Sequence, residues 1–256
     1  MVIHSGPKAL TEYVLYQSKH KANKRNMILI VQGFLAGLYI AIGAIGSLKL
    51  SASIITPGLG SFLGALVFPV GIIAIILMQA ELFTSDCMVM TAVFAGRTKI
   101  TKTFRILCII ILSNLLGAIF AAFLTNASGL FDGATAQLVI EKAMHKVHMP
   151  LGQLLPSAIL CNIIVCTGVC LAYSCKEEIT KIVVLWLAIT VFVISGTEHV
   201  VANMYYLFAA LFYGAELTAA DIFYNLSVSG MGNFIGGGLI VSGINYLLAY
   251  RDIEKQ

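Results

Sequence analysis

Apolar and polar positions along this chain fall into long blocks rather than into a strand period of two or the one-sided stripe of a surface helix. Six apolar blocks run roughly over 27–48, 61–95, 105–127, 153–174, 182–213 and 223–249. A helix crossing the hydrocarbon of a bilayer needs about 20 residues, and four blocks have that length. The second and fifth are longer than 30 residues, and a straight helix of that length would measure roughly 45–50 Å. Both also carry polar groups in mid-block. The second holds Glu81, Thr84, Ser85 and Asp86, and the fifth holds Ser195, Gly196, Thr197, Glu198, His199 and Asn203. The pattern predicts six membrane-spanning helices, of which the second and fifth are broken. Between the third and fourth spans, the exposed stretch 128–151 has room for a short helix from Ala134 to Lys146.

Spans one to three and four to six repeat one order: plain, overlong and interrupted, plain. With three spans per half, the second half enters from the opposite side, which predicts a 3+3 inverted repeat. Interrupted spans at matching positions in two halves point to a substrate site near the midplane. The physical reason is that a break frees backbone N–H and C=O groups, each costly in lipid, so the break survives only where it is buried or lines a polar cavity. A new half-helix start also turns partial positive charge toward that cavity, which suits an anion. Glu81 and Glu198 read either as residues that cap freed N–H groups or pair within the fold, or as a cation site. His199, an ionisable ring at the midplane, is a functional candidate, with a merely hydrogen-bonded core histidine as the other reading.

Composition agrees with a lipid environment: 59% of the 256 residues are hydrophobic and 11% charged, against about 25% charged in soluble domains. The net charge of +4 matters through its placement. Alternating six spans collects Lys8, Lys19, Lys21, Lys24, Arg25, Arg97, Lys99, Lys102, Arg105, Lys176, Lys181, Arg251 and Lys255 on one side and leaves Lys49, Lys142 and Lys146 on the other. By the positive-inside rule both termini are cytoplasmic, and the asymmetry reads as topology rather than nucleic-acid binding. Residues 1–26 are a polar, basic cytoplasmic segment without a signal-peptide core, and 1–256 reads as a single transmembrane channel domain. The cysteines, Cys87, Cys108, Cys161, Cys166, Cys170 and Cys175, sit almost wholly in apolar stretches without metal or haem spacing. They read as small buried hydrophobes, and no metal or other cofactor is expected. Gly232 and Gly236 form a G-x-x-x-G that reads as close helix packing, with Asn233 between them as a residue that could face the cavity.

The runs Glu81-Leu82-Phe83-Thr84-Ser85 and Ser195-Gly196-Thr197-Glu198-His199-Val200-Val201-Ala202-Asn203-Met204 resemble the second-helix loop and fifth-helix break of the formate/nitrite transporter family. Gly232-Asn233-Phe234-Ile235-Gly236-Gly237-Gly238 resembles its last-helix motif, and the likeness extends over all six spans. The resemblance implies an aquaporin-like protomer in a homopentamer of a bacterial inner membrane, with one pore per protomer and two hydrophobic constrictions around a central chamber. Leu82 and Phe83 match the outward constriction, and Phe68 and Phe192 the inward one. Thr84 and His199 match groups facing the chamber, and Lys146 and Asn162 a lysine and asparagine near the outer vestibule. Ile72 stands where some relatives carry leucine at the inner slit. The implied cargo is a small monovalent anion: hydrosulfide, formate or nitrite. The overall wording, Asp86 included, is nearest the hydrosulfide channels.

A hydrophobic slit excludes hydrated ions. A weak-acid anion lowers that cost by taking a proton, and His199 is the midplane group that titrates near neutrality. A lysine at the mouth, Lys146, would gather anions through its field. The other transport reading is an aquaporin-like pore for a small neutral solute, against which stands the absence of paired Asn-Pro-Ala loops. An enzyme is not expected, since the chain has no H-E-x-x-H, G-x-S-x-G or paired-aspartate motif.

Overall fold

The computed structural model describes residues 6–253. Lys255, counted in the charge asymmetry, lies outside the described residues, as do residues 1–5 of the N-terminal segment. Every element among the described residues is helical. Five helices are long and apolar enough to cross a membrane: 26–52, 58–77, 100–127, 151–174 and 219–249.

The polar N-terminal segment holds a helix that the apolar blocks did not announce. Helix α1 (Gly6–Ala22) buries Thr11, Val14 and Ser18 at helical spacing, and it packs on the end of the chain and on the fourth span. The first span is α2 (Asn26–Ala52). The second apolar block resolves into more than one broken span. Its first part, α3 (Pro57–Val67) and α4 (Val70–Leu77), is jointed at Pro69 and already has spanning length. A proline has no N–H to continue the ladder, which places the joint there. The chain then reverses at Gln79, whose φ is +53°, and runs extended to Leu82. It re-enters as a half-helix made of α5 (Phe83–Asp86), a tight turn over Cys87–Val89, and α6 (Met90–Phe94).

The third span is α7 (Ile100–Ala127). The predicted loop helix is α8 (Gly133–Val147), capped by Asp132, whose Oδ1 accepts from the Thr135 N–H and hydroxyl. These bonds, with Lys49 nearby, hold the Asp132 carboxyl at about 2. The fourth span is α9 (Leu151–Ser174). The fifth block divides as expected into α10 (Glu178–Ile194) and α11 (Val200–Phe212), with the break at 195–199. The sixth is α12 (Ala219–Asn233), which opens on a Thr218–Asp221 capping box, then a wider π-helical stretch over Phe234–Val241, then α13 (Ser242–Ile253).

Two helix pairs are pressed to backbone contact. A Cβ on Gly232 would lie 2.9 Å from the Leu155 carbonyl oxygen, so the G-x-x-x-G is a packing face, as read from the sequence. Gly117 does the same for α7 against the Phe34 carbonyl on α2. All six cysteines are free. The reading of them as buried holds for Cys87, Cys161 and Cys166; Cys108 is exposed on α7, and Cys170 and Cys175 are half-buried.

Candidate functional site

The two breaks meet at the centre of the molecule, and each is held by one asparagine. At the first, Asn114 of α7 accepts the Phe83 N–H at 2.9 Å and donates to the carbonyls of Gly33 (2.8 Å) and Glu81 (3.0 Å). At the second, Asn233 of α12 accepts the Val200 N–H at 2.8 Å and donates to the carbonyls of Ala158 (2.7 Å) and Glu198 (2.9 Å). Backbone groups that a break would leave bare in lipid are thereby satisfied. Asn114 was not singled out from the sequence. Its signal was an amide in the middle of an apolar block.

The acids of the breaks are paired with lysines, so the structure takes the first of the two readings given for them. Glu81 lies 2.6 Å from Lys21 and 2.6 Å from Lys24, and Lys21 also binds Asp86. Glu198 lies 2.8 Å from Lys146 and accepts from Asn203 at 2.7 Å. Asn225 completes this second group, bonding Asn203 and the Lys146 carbonyl. Lys146 is therefore a half-buried partner of the break, not a free charge at the mouth. The basic groups that α1 and α8 bring to the two breaks were not legible as partners, because the pairings cross long stretches of chain.

Between the breaks, Thr84 Oγ1 and His199 Nε2 are 2.9 Å apart, and both residues are buried. His199 is the N-cap of α11, and its Nδ1 accepts the Ala202 N–H at 3.2 Å. A neutral imidazole has one donor and one acceptor nitrogen. With Nδ1 accepting, Nε2 carries the proton and donates to Thr84, and the Thr84 hydroxyl proton is left to point elsewhere. The Thr84 carbonyl is taken by Asn162 at 3.1 Å and by the Cys166 thiol at 3.4 Å. Asn162 also donates to the Asn233 carbonyl at 2.5 Å and is fully buried. Asn162 and Asn233, expected at the vestibule and chamber, spend their amides on backbone here. Gly237 in the π-helical stretch leaves the room that Asn162 and Cys166 occupy.

Two cavities approach this centre from opposite ends and share no lining residue. One, about 430 Å³, is lined by Phe68, Phe192, His199, Glu198, Lys142 and Lys146, among others. The other, about 610 Å³, is lined by Lys21, Lys24, Glu81, Tyr173, Lys176 and Lys181, among others. Leu82 is fully buried and lines neither, and Phe83 is also buried. This corrects one expectation. Phe68 and Phe192, whose rings meet edge-on at 5.9 Å, stand on the side of α8 and the 128–151 loop. Leu82 and Phe83 stand on the side of the N-terminal lysines. The sequence reading had the two constrictions interchanged, because the full length of the 58–77 helix carries the chain past the centre before the loop turns back.

Lys142 remains accessible from the α8-side cavity. Protein crowds it and Lys146 lies beside it, and both hold its ammonium below the ordinary lysine value. Among the described residues no three metal-binding side chains are grouped.

A family model described as Formate/nitrite transporter matches residues 8–247. The chain belongs to the formate/nitrite transporter family. It is an all-helical, multi-pass membrane protein of a family of channels and transporters rather than enzymes. It is 37% identical over 232 residues to the uncharacterized transporter YrhG of Bacillus subtilis, covering 89% of this chain and 86% of that one. It is 31% identical to the formate channel BtFdhC of Bacillus thuringiensis, covering 98% and 97%. Among solved structures, an FNT family ion channel superposes with a TM-score of 0.87 at 26% identity, covering 94% of this chain and 98% of that one. A pentameric formate channel with formate bound superposes with a TM-score of 0.78 at 27% identity, covering 88% and 98%.

Proposed function

We propose that this protein is a channel for small monovalent anions, with hydrosulfide, formate and nitrite as its candidate cargo. The observation that carries the reading is the Thr84–His199 pair between two cavities that do not meet. An anion reaching the centre finds the free hydroxyl proton of Thr84, and it gains the Nε2–H of His199 as a second donor if that N–H turns from Thr84 to the anion. It also finds the starts of two half-helices, whose partial positive charge favours an anion. Leu82 and Phe83 on one side and Phe68 and Phe192 on the other form the two apolar constrictions. Each strips water from an ion and so favours a small, weakly hydrated or protonatable species.

His199 acts in this reading as a fixed donor. To gain a second proton it must release the Ala202 N–H, so protonation and loss of the α11 cap go together. Asn162 and Asn233 serve by holding the chamber walls, and Lys146 by anchoring the second break. Lys142 takes the role of gathering anions at the α8-side mouth.

The matched bonding of Asn114 and Asn233 supports a 3+3 inverted repeat of six spans in an aquaporin-like protomer, one channel domain over the whole chain. Homopentamer assembly and preference for formate come by likeness to the pentameric formate channel and the Bacillus thuringiensis relative. The hydrosulfide assignment rests on the wording of the chain around Asp86. The basic asymmetry supports both termini inside, and a bacterial inner membrane comes by likeness to the Bacillus relatives.

Flux of hydrosulfide, formate and nitrite into proteoliposomes containing only this protein tests the reading. Saturable or size-limited passage of at least one anion, with glycerol excluded, is the expected outcome; passage of glycerol without any anion would replace it with the neutral-solute pore. Labelling of intact cells at Lys142→Cys but not at Lys99→Cys checks the orientation.

A further inference from the structure

On the side of the N-terminal lysines, beside the larger cavity and meeting it at Lys24, an open hollow of about 540 Å³ is lined by Asn23, Lys24, Thr101, Lys102 and Arg105. No carboxylate lines it. Lys102 donates to Asn23 at 3.1 Å, and among the described residues neither Lys102 nor Arg105 belongs to an ion pair. Arg25, Arg97 and Lys99 stand next to these residues in the chain. Three cationic side chains thus converge on one hollow, and two of them, Lys102 and Arg105, have no acid partner such as Lys24 has in Glu81.

The position of the hollow says what kind of anion fits. It sits at the first turns of α7, where the chain leaves water and the apolar span begins. Beside Arg105 and onward, the same helix presents an exposed line at four-residue spacing: Phe104, Cys108, Leu112 and Leu116. A phosphate seated between Lys102 and Arg105 has its own chains running down that line. A planar guanidinium takes a phosphate with two bonds, and a lysine adds a point charge. Basic pockets between spans on the cytoplasmic face suit anionic headgroups in this way.

We infer that this hollow is a binding site for the phosphate of an anionic membrane lipid, a phosphodiester headgroup with its acyl chains along α7. It is separate from the anion path, and the inference does not depend on which anion the channel carries. The site touches the pore machinery at one residue, Lys24, whose ammonium also lies 2.6 Å from Glu81 at the first break. Lys24 is therefore left intact in the test, which alters only Lys102 and Arg105.

The experiment measures thermal unfolding and lipid retention of the full chain in nanodiscs of phosphatidylcholine with and without phosphatidylglycerol. Wild type is compared with the double variant Lys102→Gln/Arg105→Gln. A control, Lys19→Gln/Arg97→Gln, removes two exposed basic groups from the same face but not from the hollow. At about fivefold per basic residue near a membrane surface, the double variant should hold phosphatidylglycerol roughly 25-fold more weakly. Wild type and control should gain stability from phosphatidylglycerol, and the double variant should not, while matching wild type in phosphatidylcholine alone. An equal gain in all three proteins, or an equal loss in control and double variant, would mean diffuse surface attraction and overturn the site. No gain in wild type would overturn it too. A shift of the same size from millimolar inorganic phosphate in detergent would assign the hollow to a soluble anion and overturn the lipid.

Discussion

Asn114 and Asn233 do the same work on opposite halves of the chain. Each amide accepts the first N–H of a half-helix and donates to the carbonyl two residues before that N–H and to one carbonyl of a plain span. The carbonyl partners also correspond: Glu81 with Glu198 across the breaks, and Gly33 of α2 with Ala158 of α9. Three residues beyond each asparagine, Gly117 and Gly236 face the backbone of Phe34 and Ile159, each next in the chain to a carbonyl partner.

Replacing either asparagine with alanine should therefore have similar consequences. Each change leaves buried backbone groups unpartnered, at a cost on the order of 1–3 kcal/mol per group. Asn114→Ala and Asn233→Ala should both lower the unfolding temperature in detergent by comparable amounts. A large loss in one and none in the other would show that the two breaks are not held alike.

In the proposed reading Leu82 closes the passage toward the N-terminal side. Its backbone is extended (φ −109°, ψ 124°), a conformation β-branched residues accept readily. Leu82→Val should thus fold normally while opening the seal slightly, and Leu82→Ala should open it further at a cost of about 2–5 kcal/mol in stability. Flux of the larger anion lactate should rise in the order wild type, valine, alanine. Unchanged size selectivity in folded protein would remove Leu82 from the path.

His199→Asn preserves the cap on Ala202, since asparagine is a good N-cap, but is too short to donate to Thr84. Flux should fall roughly tenfold, the equivalent of one lost charge-assisted bond. Its profile between about pH 5 and 8, where histidine commonly titrates, should keep the wild-type shape. A pH dependence present in wild type and abolished in the variant would instead make His199 the proton donor expected from the sequence. Thr84→Ala should lower flux without altering the profile.

In the proposed role, Lys142 gives anion entry a pH dependence whose sign follows from its surroundings. Its ammonium is held below the ordinary lysine value by burial and by Lys146, so on raising pH it loses its charge before a free lysine, near 10.4, would. Anion entry should decline over the range below that value, most clearly at low salt, where the field reaches furthest. Lys142→Arg should hold entry constant over the same range. Identical profiles would place Lys142 outside the approach path.

Lys146→Glu is a harsher change than its place at a vestibule suggests. It leaves Glu198 buried without its cation and adds a second acid beside it, and breaking one side of a buried pair costs about 3–5 kcal/mol. Loss of folded protein on size exclusion is the expected outcome, before any effect on entry can be measured. Full stability with slowed entry would restore Lys146 to the role of a free surface charge.

The sequence by itself determined the parts of this protein that lipid enforces locally. Backbone in a bilayer must bond to itself, so apolar length alone located the spans, and polar residues in mid-block located both breaks to within a few residues. The family motif brought Thr84 and His199 together before any distance was known. Tertiary structure decided what depends on partners far along the chain. It paired Glu81 with Lys21 and Lys24 and Glu198 with Lys146, took Asn162 and Asn233 for bracing, and added Asn114 and the docked helix α1. It also set that Phe68 and Phe192 face one end and Leu82 and Phe83 the other. The sequence could not fix that, because composition shows that a span is interrupted but not how far the chain travels before it turns back. That distance is set by the packing of 58–77 against its neighbours, and packing is a property of the folded whole.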